Sequence, residues 1–320
     1  MPPPTATREE SPLLRRRSRG AMLLVRLITT VVVGLFVWMA VRRMDMTGFR
    51  HALAGASVAP VLLAAVVAFG IQVARAGYWR AILWSHARIS LRTMLRYTLA
   101  ASGASIVLPA RGGEALRVWW LHKRHAIPLA VLGAAFALEK MSDVVTLMLT
   151  VTPLPWLLPS EPWLGPVRLV TPLVLAGALA VILVARGGRR RLRWLADLRM
   201  FDDLRHAGAA YSFVVAAWVL DLVVIGLAMH AVAIPVRLDA ALLVLLVVNL
   251  ATAIPAAPGN IGTLELAATF ALTTRGVQPE RAAAFALLYH GVQIVPLIVV
   301  SSFTAVMSRR EASAATSRWP

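Results

Sequence analysis

The stretch LPARGGEALR, residues 108–117, interrupts a segment that otherwise has the composition of a membrane helix. The fifteen residues before it, TMLRYTLAASGASIV, are mostly apolar or small. A proline, two adjacent glycines, two arginines and Glu114 then stand where such a helix should continue. Proline removes a backbone donor and glycine weakens a helix, so the pattern predicts a charged break at this point.

The composition indicates which solvent surrounds this break. Hydrophobic residues make up 59% of the 320-residue chain, charged residues make up 15%, and the mean hydropathy is +0.72. Soluble domains are about half apolar and a quarter charged, so these values predict an integral membrane protein. The candidate spans, each near the roughly 20 residues needed to cross a bilayer, are 22–41, 57–74, 128–151, 166–185, 211–234 and 281–307. Two shorter runs, 94–108 and 240–256, end in Pro/Gly breaks.

The net charge of +18 comes largely from arginines placed between the apolar runs. They precede the first span, follow the last, and fill the segments 75–96 and 186–210, so Arg75 and Arg80 are expected in a loop. Basic domains often bind nucleic acid, but arginines in cytoplasmic loops are typical of membrane proteins. We therefore expect no nucleic-acid partner. The chain has no cysteine, which excludes disulfides and thiolate metal sites.

The chain also repeats itself. The string AAFAL occurs at 134–138 and again at 283–287, an offset of 149 residues. At nearly the same offset, the first break is matched by IPAAPGNIGTLEL, residues 254–266. In both segments a Pro/Gly-rich stretch leads into a glutamate, Glu114 or Glu265. This combination favours a duplicated unit over chance, although Pro and Gly could also simply loosen two ordinary helices.

Each half then holds two long apolar runs, one broken run and one further long run. The prediction is an all-α polytopic membrane protein of two inverted repeats, each with about three spans and one broken re-entrant helical hairpin. The predicted regions are a disordered basic tail at 1–20, a first membrane repeat at 21–151, a second at 152–310 and a second tail at 311–320.

Loop charge places both termini in the bacterial cytoplasm. Arg42, Arg43 and Arg50 fall on the wrong side of this scheme, so eight full crossings stay open as an alternative. Inverted repeats with broken helices are a transporter signature, because the amino termini of half-helices present free N–H groups to an anionic group near the midplane.

The residues of the two breaks carry a family resemblance. They are Pro109, Arg111, Gly113, Glu114 and Arg117, then Glu139 and Asp143, then Pro255, Pro258, Gly259, Gly262 and Glu265. In this order and spacing they resemble the flippase-like family, which comprises the lysylphosphatidylglycerol synthase transmembrane region and the membrane half of multiple peptide resistance factors. The resemblance covers about 20–310. It implies movement of a lipid between leaflets, in the best-known members an aminoacylated phosphatidylglycerol. Because the sequence stops at residue 320, we expect a stand-alone member that does not make that lipid itself.

Ionisable residues inside a span are functional candidates. In AFALEKMSDVV, Glu139 and Asp143 share a helix face, and Lys140 is spaced to pair with Asp143. Glu139 then needs a cation, for which Arg111 or Arg117 is the expected source. The group either clamps the broken helix as an ion-pair network or forms the pocket for a lipid headgroup.

The second half offers weaker candidates. Asp221 is a lone carboxylate in mid-span, either a packing partner or part of a cavity lining. Tyr289, His290 and Gln293 stand near the repeat equivalent of Glu139. His290 either titrates near physiological pH or is a hydrogen-bonded core histidine.

We therefore predict a flippase or scramblase-like transporter of an anionic or zwitterionic phospholipid or lipid-linked intermediate in the bacterial cytoplasmic membrane. The predicted headgroup-binding residues are Arg111, Gly112, Gly113, Glu114, Arg117, Glu139, Lys140, Asp143, Pro258, Gly259, Asn260, Gly262, Glu265 and His290. Known phosphate-loop, HExxH and GxSxG motifs are absent from the sequence, so we expect neither an enzyme nor a cofactor or metal. Membrane lipids are the expected partners, with a homo-oligomer and a separate lipid-modifying enzyme left open. The alternatives are a transporter of a small polar anion, a membrane transferase, and a scaffold for a lipid-modifying enzyme.

Overall fold

The computed structural model describes residues 45–107, 112–159, 164–187, 204–253 and 258–316. Every regular element in these ranges is a helix. In chain order they are α1 (Met46–Ala54), α2 (Val58–Ile82), α3 (Leu91–Val107), α4 (Gly112–His125), α5 (Leu129–Val151), α6 (Leu154–Leu157), α7 (Gly165–Gly187), α8 (Leu204–Ala231), α9 (Leu238–Ala253), a 3-10 turn (Pro258–Asn260), α10 (Thr263–Thr273) and α11 (Pro279–Thr316). The all-α prediction is thus confirmed for this part of the chain.

Three of these helices are long and apolar enough to cross a membrane: Val58–Ile82, Arg205–Ala231 and Pro279–Val299. The outer faces of the helices carry exposed apolar side chains, such as Leu62 and Val66 of α2. Exposed apolar surface of this extent is typical of contact with lipid rather than water. The first predicted span, the predicted tail at 1–20 and Arg111 lie outside the described residues.

The predicted runs from residue 57 onward coincide with helices wherever the structure describes them, but some boundaries are wrong: α8 begins at Leu204 and not at residue 211, and α11 continues past residue 307 to Thr316. The second run was expected to end at residue 74, whereas α2 continues to Ile82. Arg75 and Arg80 therefore lie in a helix and not in a loop. The segment between the first two predicted spans also contains α1, whose first turn is capped by Asp45, which accepts hydrogen bonds from the Thr47 and Gly48 N–H groups.

The order of elements is the same in both halves. In the first half, the long helix α2 is followed by the two shorter helices α3 and α4, which lie on either side of the break, and then by the longer helix α5. In the second half, α8, α9, α10 and α11 follow the same order, with the 3-10 turn in the break. The orientation of the repeats and the re-entrant hairpins remain predictions.

The two halves share one core. The most extensive helix pairing in the described bundle joins α2 to α8, and α3 packs against both α11 and the 3-10 turn. Buried apolar side chains from both halves form one continuous cluster. The helices on either side of the two breaks therefore belong to a single packed body.

Candidate functional site

The first break is held by a buried carboxylate on α5. Arg117 of α4 donates from Nη2 to Glu139 Oε2 at 2.9 Å, and the Trp79 indole N–H donates to the same oxygen at 2.9 Å. Arg75 Nη1 lies 3.5 Å from the other oxygen, Oε1. The predicted pairing of Glu139 with Arg117 is confirmed, and it connects α5 to α4 and α2.

Arg117 is itself enclosed. Its guanidinium lies over the Trp79 ring, 4.1 Å from the centroid, and the whole residue is buried. A buried cation that is stacked on an indole and paired with a carboxylate is held in place by the protein. In this arrangement Arg117 stabilises the break and is not accessible to a ligand.

Lys140 and Asp143 take different partners from those expected. Lys140 Nζ reaches back to Glu114 Oε1 of α4 at 3.0 Å, so it does not pair with Asp143. Asp143 Oδ2 lies 3.5 Å from Arg75 Nη1, and its Oδ1 accepts a bond from the Trp218 indole at 3.3 Å. Through Asp143 the network extends to α8, in the second half.

Arg75 is the residue that the sequence analysis missed. It contacts both Glu139 and Asp143, yet 34% of its side-chain surface stays accessible. One signal was present: Tyr78, Trp79 and Ile82 continue an apolar pattern beyond residue 74, and all three are buried. A helix read through those residues would have placed Arg75 inside the bundle.

The second break is held by different chemistry. Glu265 Oε2 accepts a bond from the Gly262 N–H at 2.7 Å, and its Oε1 lies 2.6 Å from His290 Nδ1. The other ring nitrogen, His290 Nε2, lies 3.0 Å from the carbonyl oxygen of Gly259. His290 thus links α11 to both ends of the break, and the prediction of a hydrogen-bonded buried histidine is confirmed.

Gly113 and Gly262, both predicted to bind a headgroup, have other contacts in the structure. A Cβ at Gly113 would lie 1.8 Å from the Ala101 carbonyl oxygen, so this glycine permits the close crossing of α3 and α4. The Gly262 N–H is occupied by Glu265. In the described conformation, the Gly262 N–H is therefore not free to bind a headgroup phosphate. Gly112 begins α4, and the side chain of Pro258 lies outside the described residues.

A polar cavity of about 190 Å³ lies between the two halves. Its polar lining consists of Gln72 and Arg75 from α2, Asp221 from α8, Asn249 and Thr252 from α9, Asn260 from the turn, and Tyr289 and Gln293 from α11. Of the predicted binding residues whose side chains the structure describes, only Asn260 lines it. The two sequence interpretations of Asp221 both hold, because Asp221 faces the cavity and accepts a bond from the Tyr289 hydroxyl at 3.0 Å.

The cavity, the two buried networks and the breaks define a class of protein: a helical membrane protein with a charged, irregular interior. Unpaired backbone at membrane depth persists only where protein or water satisfies it, and at the second break Glu265 and His290 satisfy the Gly262 N–H and the Gly259 carbonyl. Among the described residues, no cluster of His, Asp and Glu is arranged to hold a metal ion.

Comparison with known families agrees with this class. Residues 24–301 match the family described as the lysylphosphatidylglycerol synthase TM region. The match covers most of the chain, so the protein belongs to that family, a membrane-protein family of lipid metabolism and transport. No curated protein sequence matches the chain.

Proposed function

We propose that the protein transports a lipid, moving an anionic or zwitterionic phospholipid or lipid-linked intermediate between the leaflets of the bacterial cytoplasmic membrane. The observation that carries this proposal is the cavity between the two halves, into which a partly accessible arginine, Arg75, is presented. Family membership supplies the lipid context. The proposal includes inverted repeats, cytoplasmic termini and no enzymatic activity.

Arg75 is suited to bind a phosphate. Its guanidinium offers several N–H donors in a planar fork, the geometry that favours bidentate contact with phosphate oxygens. Both carboxylate contacts of Arg75 are long, at 3.5 Å, whereas Arg117 holds Glu139 at 2.9 Å. A phosphate can therefore engage Arg75 without removing the shorter ion pair that holds the first break.

Asp221 lines the same cavity as Arg75. A cation and a carboxylate in one small cavity suit a headgroup that carries phosphate and an amino group, because each charge of the headgroup then meets an opposite charge. The amide side chains of Gln72, Asn249 and Gln293 add neutral donors and acceptors. The lining therefore fits a zwitterionic headgroup as well as an anionic one.

The size of the cavity indicates that it accepts the headgroup of a lipid and not its acyl tails. Its volume of about 190 Å³ is smaller than the roughly 300–1,000 Å³ of typical ligand pockets. A phosphate and its nearest substituents fit such a space, whereas acyl chains do not. We infer that the tails stay against the apolar outer faces of the helices while the headgroup passes through the cavity.

The test is lipid translocation in proteoliposomes. Fluorescent phospholipids are incorporated symmetrically, and a membrane-impermeant quencher reports the fraction that reaches the outer leaflet. Wild-type protein should allow quenching beyond the outer half, and Arg75→Ala should lose this extra quenching. Arg80→Ala is the matched control, since Arg80 lies on the same helix, outside the cavity lining, and donates to the Ile89 carbonyl.

Equal translocation by Arg75→Ala and wild type would remove Arg75 from the mechanism. Absence of translocation from folded wild-type protein with several headgroups would contradict lipid transport itself. The small cavity then favours the second candidate, a transporter of a small polar anion on the same fold. Uptake of labelled inorganic phosphate into the same vesicles would support that candidate, and absence of both activities would favour a scaffold.

A further inference from the structure

The contacts of His290 constrain where protons sit at the second break. The side chain is buried, with only 7% of its surface accessible, and both ring nitrogens face oxygen atoms. Nδ1 lies 2.6 Å from Glu265 Oε1, and Nε2 lies 3.0 Å from the Gly259 carbonyl oxygen. A backbone carbonyl can only accept, so Nε2 must carry a hydrogen.

The short contact with Glu265 then needs a second proton. It lies either on Nδ1, giving an imidazolium beside a carboxylate, or on Oε1, giving a neutral imidazole beside a carboxylic acid. Both arrangements hold the same number of protons. If one proton leaves to water, only one hydrogen remains for two contacts with acceptors. A nitrogen lone pair then faces an oxygen atom, and that contact becomes repulsive.

Few other charges meet this pair. Glu265 on α10 is the ionisable group that contacts His290 directly. The neighbouring Tyr289 donates a hydrogen bond to Asp221 on α8. Tyr289 and Asp221 line the cavity, and so does Arg75 on α2. The helices α1 and α3 also pack against α11, and within the described ranges they supply no ion pair to His290.

The position of the pair connects protonation to the cavity. Gly259 and Gly262, the two backbone groups that the pair holds, flank Asn260, which lines the cavity. Gly259, Asn260 and Gly262 all have positive φ angles, of 62°, 57° and 84°. Glycine adopts positive φ without a steric penalty and asparagine tolerates it, so local contacts decide which backbone conformation this turn holds. Loss of the Gly259 contact would therefore release the lining of the cavity on this side.

We propose that Glu265 and His290 form a proton-binding site that controls the conformation of the second break. With the proton bound, the turn from Gly259 to Gly262 has the conformation described here. When the proton is released to water, the Gly259 carbonyl loses its donor and the turn opens. The coupling of this proton to lipid movement rests on the proposed function, whereas the site itself does not.

The site can be tested without any transport assay. The chain has no cysteine, so a single introduced thiol is the only one present. Ile261→Cys places it in the turn, where the native side chain is 60% exposed, and Val236→Cys provides a reference in the loop between α8 and α9, where the native side chain is 57% exposed. Maleimide labelling of both variants is followed from acidic to alkaline pH in detergent. Because maleimide reacts with the thiolate, the ratio of the two rates cancels the common pH dependence.

We expect this ratio to rise several-fold with pH, since the turn opens as the proton leaves. His290→Gln in the Ile261→Cys background should make the ratio nearly independent of pH. In Glu265→Gln the amide N–H can donate to Nδ1, so a neutral imidazole keeps its hydrogen on Nε2 for the Gly259 carbonyl, and the ratio should again be nearly independent of pH. The proposal would be overturned if the labelling ratio did not change with pH when His290 and Glu265 are intact. It would also be overturned if His290→Gln and Glu265→Gln both left the pH profile unchanged. If His290→Gln fails to fold, the flat profile expected for Glu265→Gln decides alone.

Lipid translocation measured at two pH values then tests whether the proton is coupled to lipid movement. A pH-dependent labelling ratio without lipid movement would uphold the proton site and contradict the proposed function. Lipid movement with a labelling ratio that does not change with pH would support the proposed function and contradict the proton site. The two failures are therefore distinguishable.

Discussion

The two breaks differ in what holds them, although both follow a short helix and precede a glutamate. At the first, Arg117 and Glu139 form a buried ion pair, and Lys140 pairs with Glu114. At the second, Glu265 is held by a histidine and by backbone. Arginine stays charged at every physiological pH, whereas histidine changes charge between about pH 5 and 8. The first break is thus fixed by permanent charge and the second by a group that can release a proton.

The backbones of the breaks differ in the same sense. At the first, Gly113 serves a close crossing between α3 and α4, where no Cβ fits. At the second, Gly259 and Gly262 serve left-handed conformations. A packed helix crossing resists deformation because both backbones must move together. A turn with positive φ angles can rearrange locally, so the second break is the better candidate for a moving part.

Removal of the permanent charge should produce the largest effect. Arg117→Ala leaves Glu139 buried without its shortest ion pair, and such changes cost about 3–5 kcal/mol. Arg237→Ala is the control, because the Arg237 side chain is 63% exposed and Asp239 keeps its contact with Arg275. Exposed pairs contribute only about 0–1 kcal/mol.

For Arg117→Ala and its control Arg237→Ala, the measurement is the fraction of protein that stays monodisperse through a heating series in detergent. Arg117→Met combined with Glu139→Gln should recover part of the loss, since it leaves no unpaired charge. If Arg117→Ala were as stable as Arg237→Ala, the ion pair would not hold the first break, and the contrast with the second break would fail.

Much of the helical fold follows from the sequence because the bilayer sets the length of an apolar run. The predicted runs from residue 57 onward became helices wherever the structure describes them. The pairing of Glu139 with Arg117 was also predictable, because a lone carboxylate inside a membrane needs a cation and the break offered one nearby. Local rules of this kind need no knowledge of how distant helices pack.

The cavity lining could not be predicted in the same way. Gln72, Asn249 and Gln293 come from three helices that meet only after both halves have packed. Arg75 was assigned to a loop because the count of apolar residues stopped at 74, although buried aromatic residues extend the helix past it. Polar residues scattered in apolar helices show where a cavity could form, but only the packing shows which of them face it.

An added methyl group at the first crossing should have the next largest effect. In Gly113→Ala the new Cβ would lie 1.8 Å from the Ala101 carbonyl oxygen, so α3 and α4 must separate. Overpacking typically costs about 1–3 kcal/mol, and we expect the upper end because the clash is with backbone. Gly133→Ala on α5 is the control, because a Cβ at that position would meet no other atom within 4 Å. The same heating series should show a large loss for Gly113→Ala and none for Gly133→Ala; equal stability would contradict the close crossing.

The smallest effect is expected at the second break, where the backbone and not a crossing requires glycine. Gly259→Ala places an L-residue at φ 62°, which costs about 1–2 kcal/mol, and its Cβ would meet Ile106 at 3.3 Å. Asparagine tolerates left-handed backbone better than alanine, as Asn260 already shows at φ 57°. Heating should therefore place Gly259→Asn between wild type and Gly259→Ala. If the two variants were equally unstable, contact with Ile106 would decide the result, and the second break would resemble the first in being held by a close approach of helices. If the predicted order holds, the backbone conformation and not a close approach of helices requires glycine at this turn, and because glycine adopts other conformations as readily, the turn can rearrange locally when one proton is released.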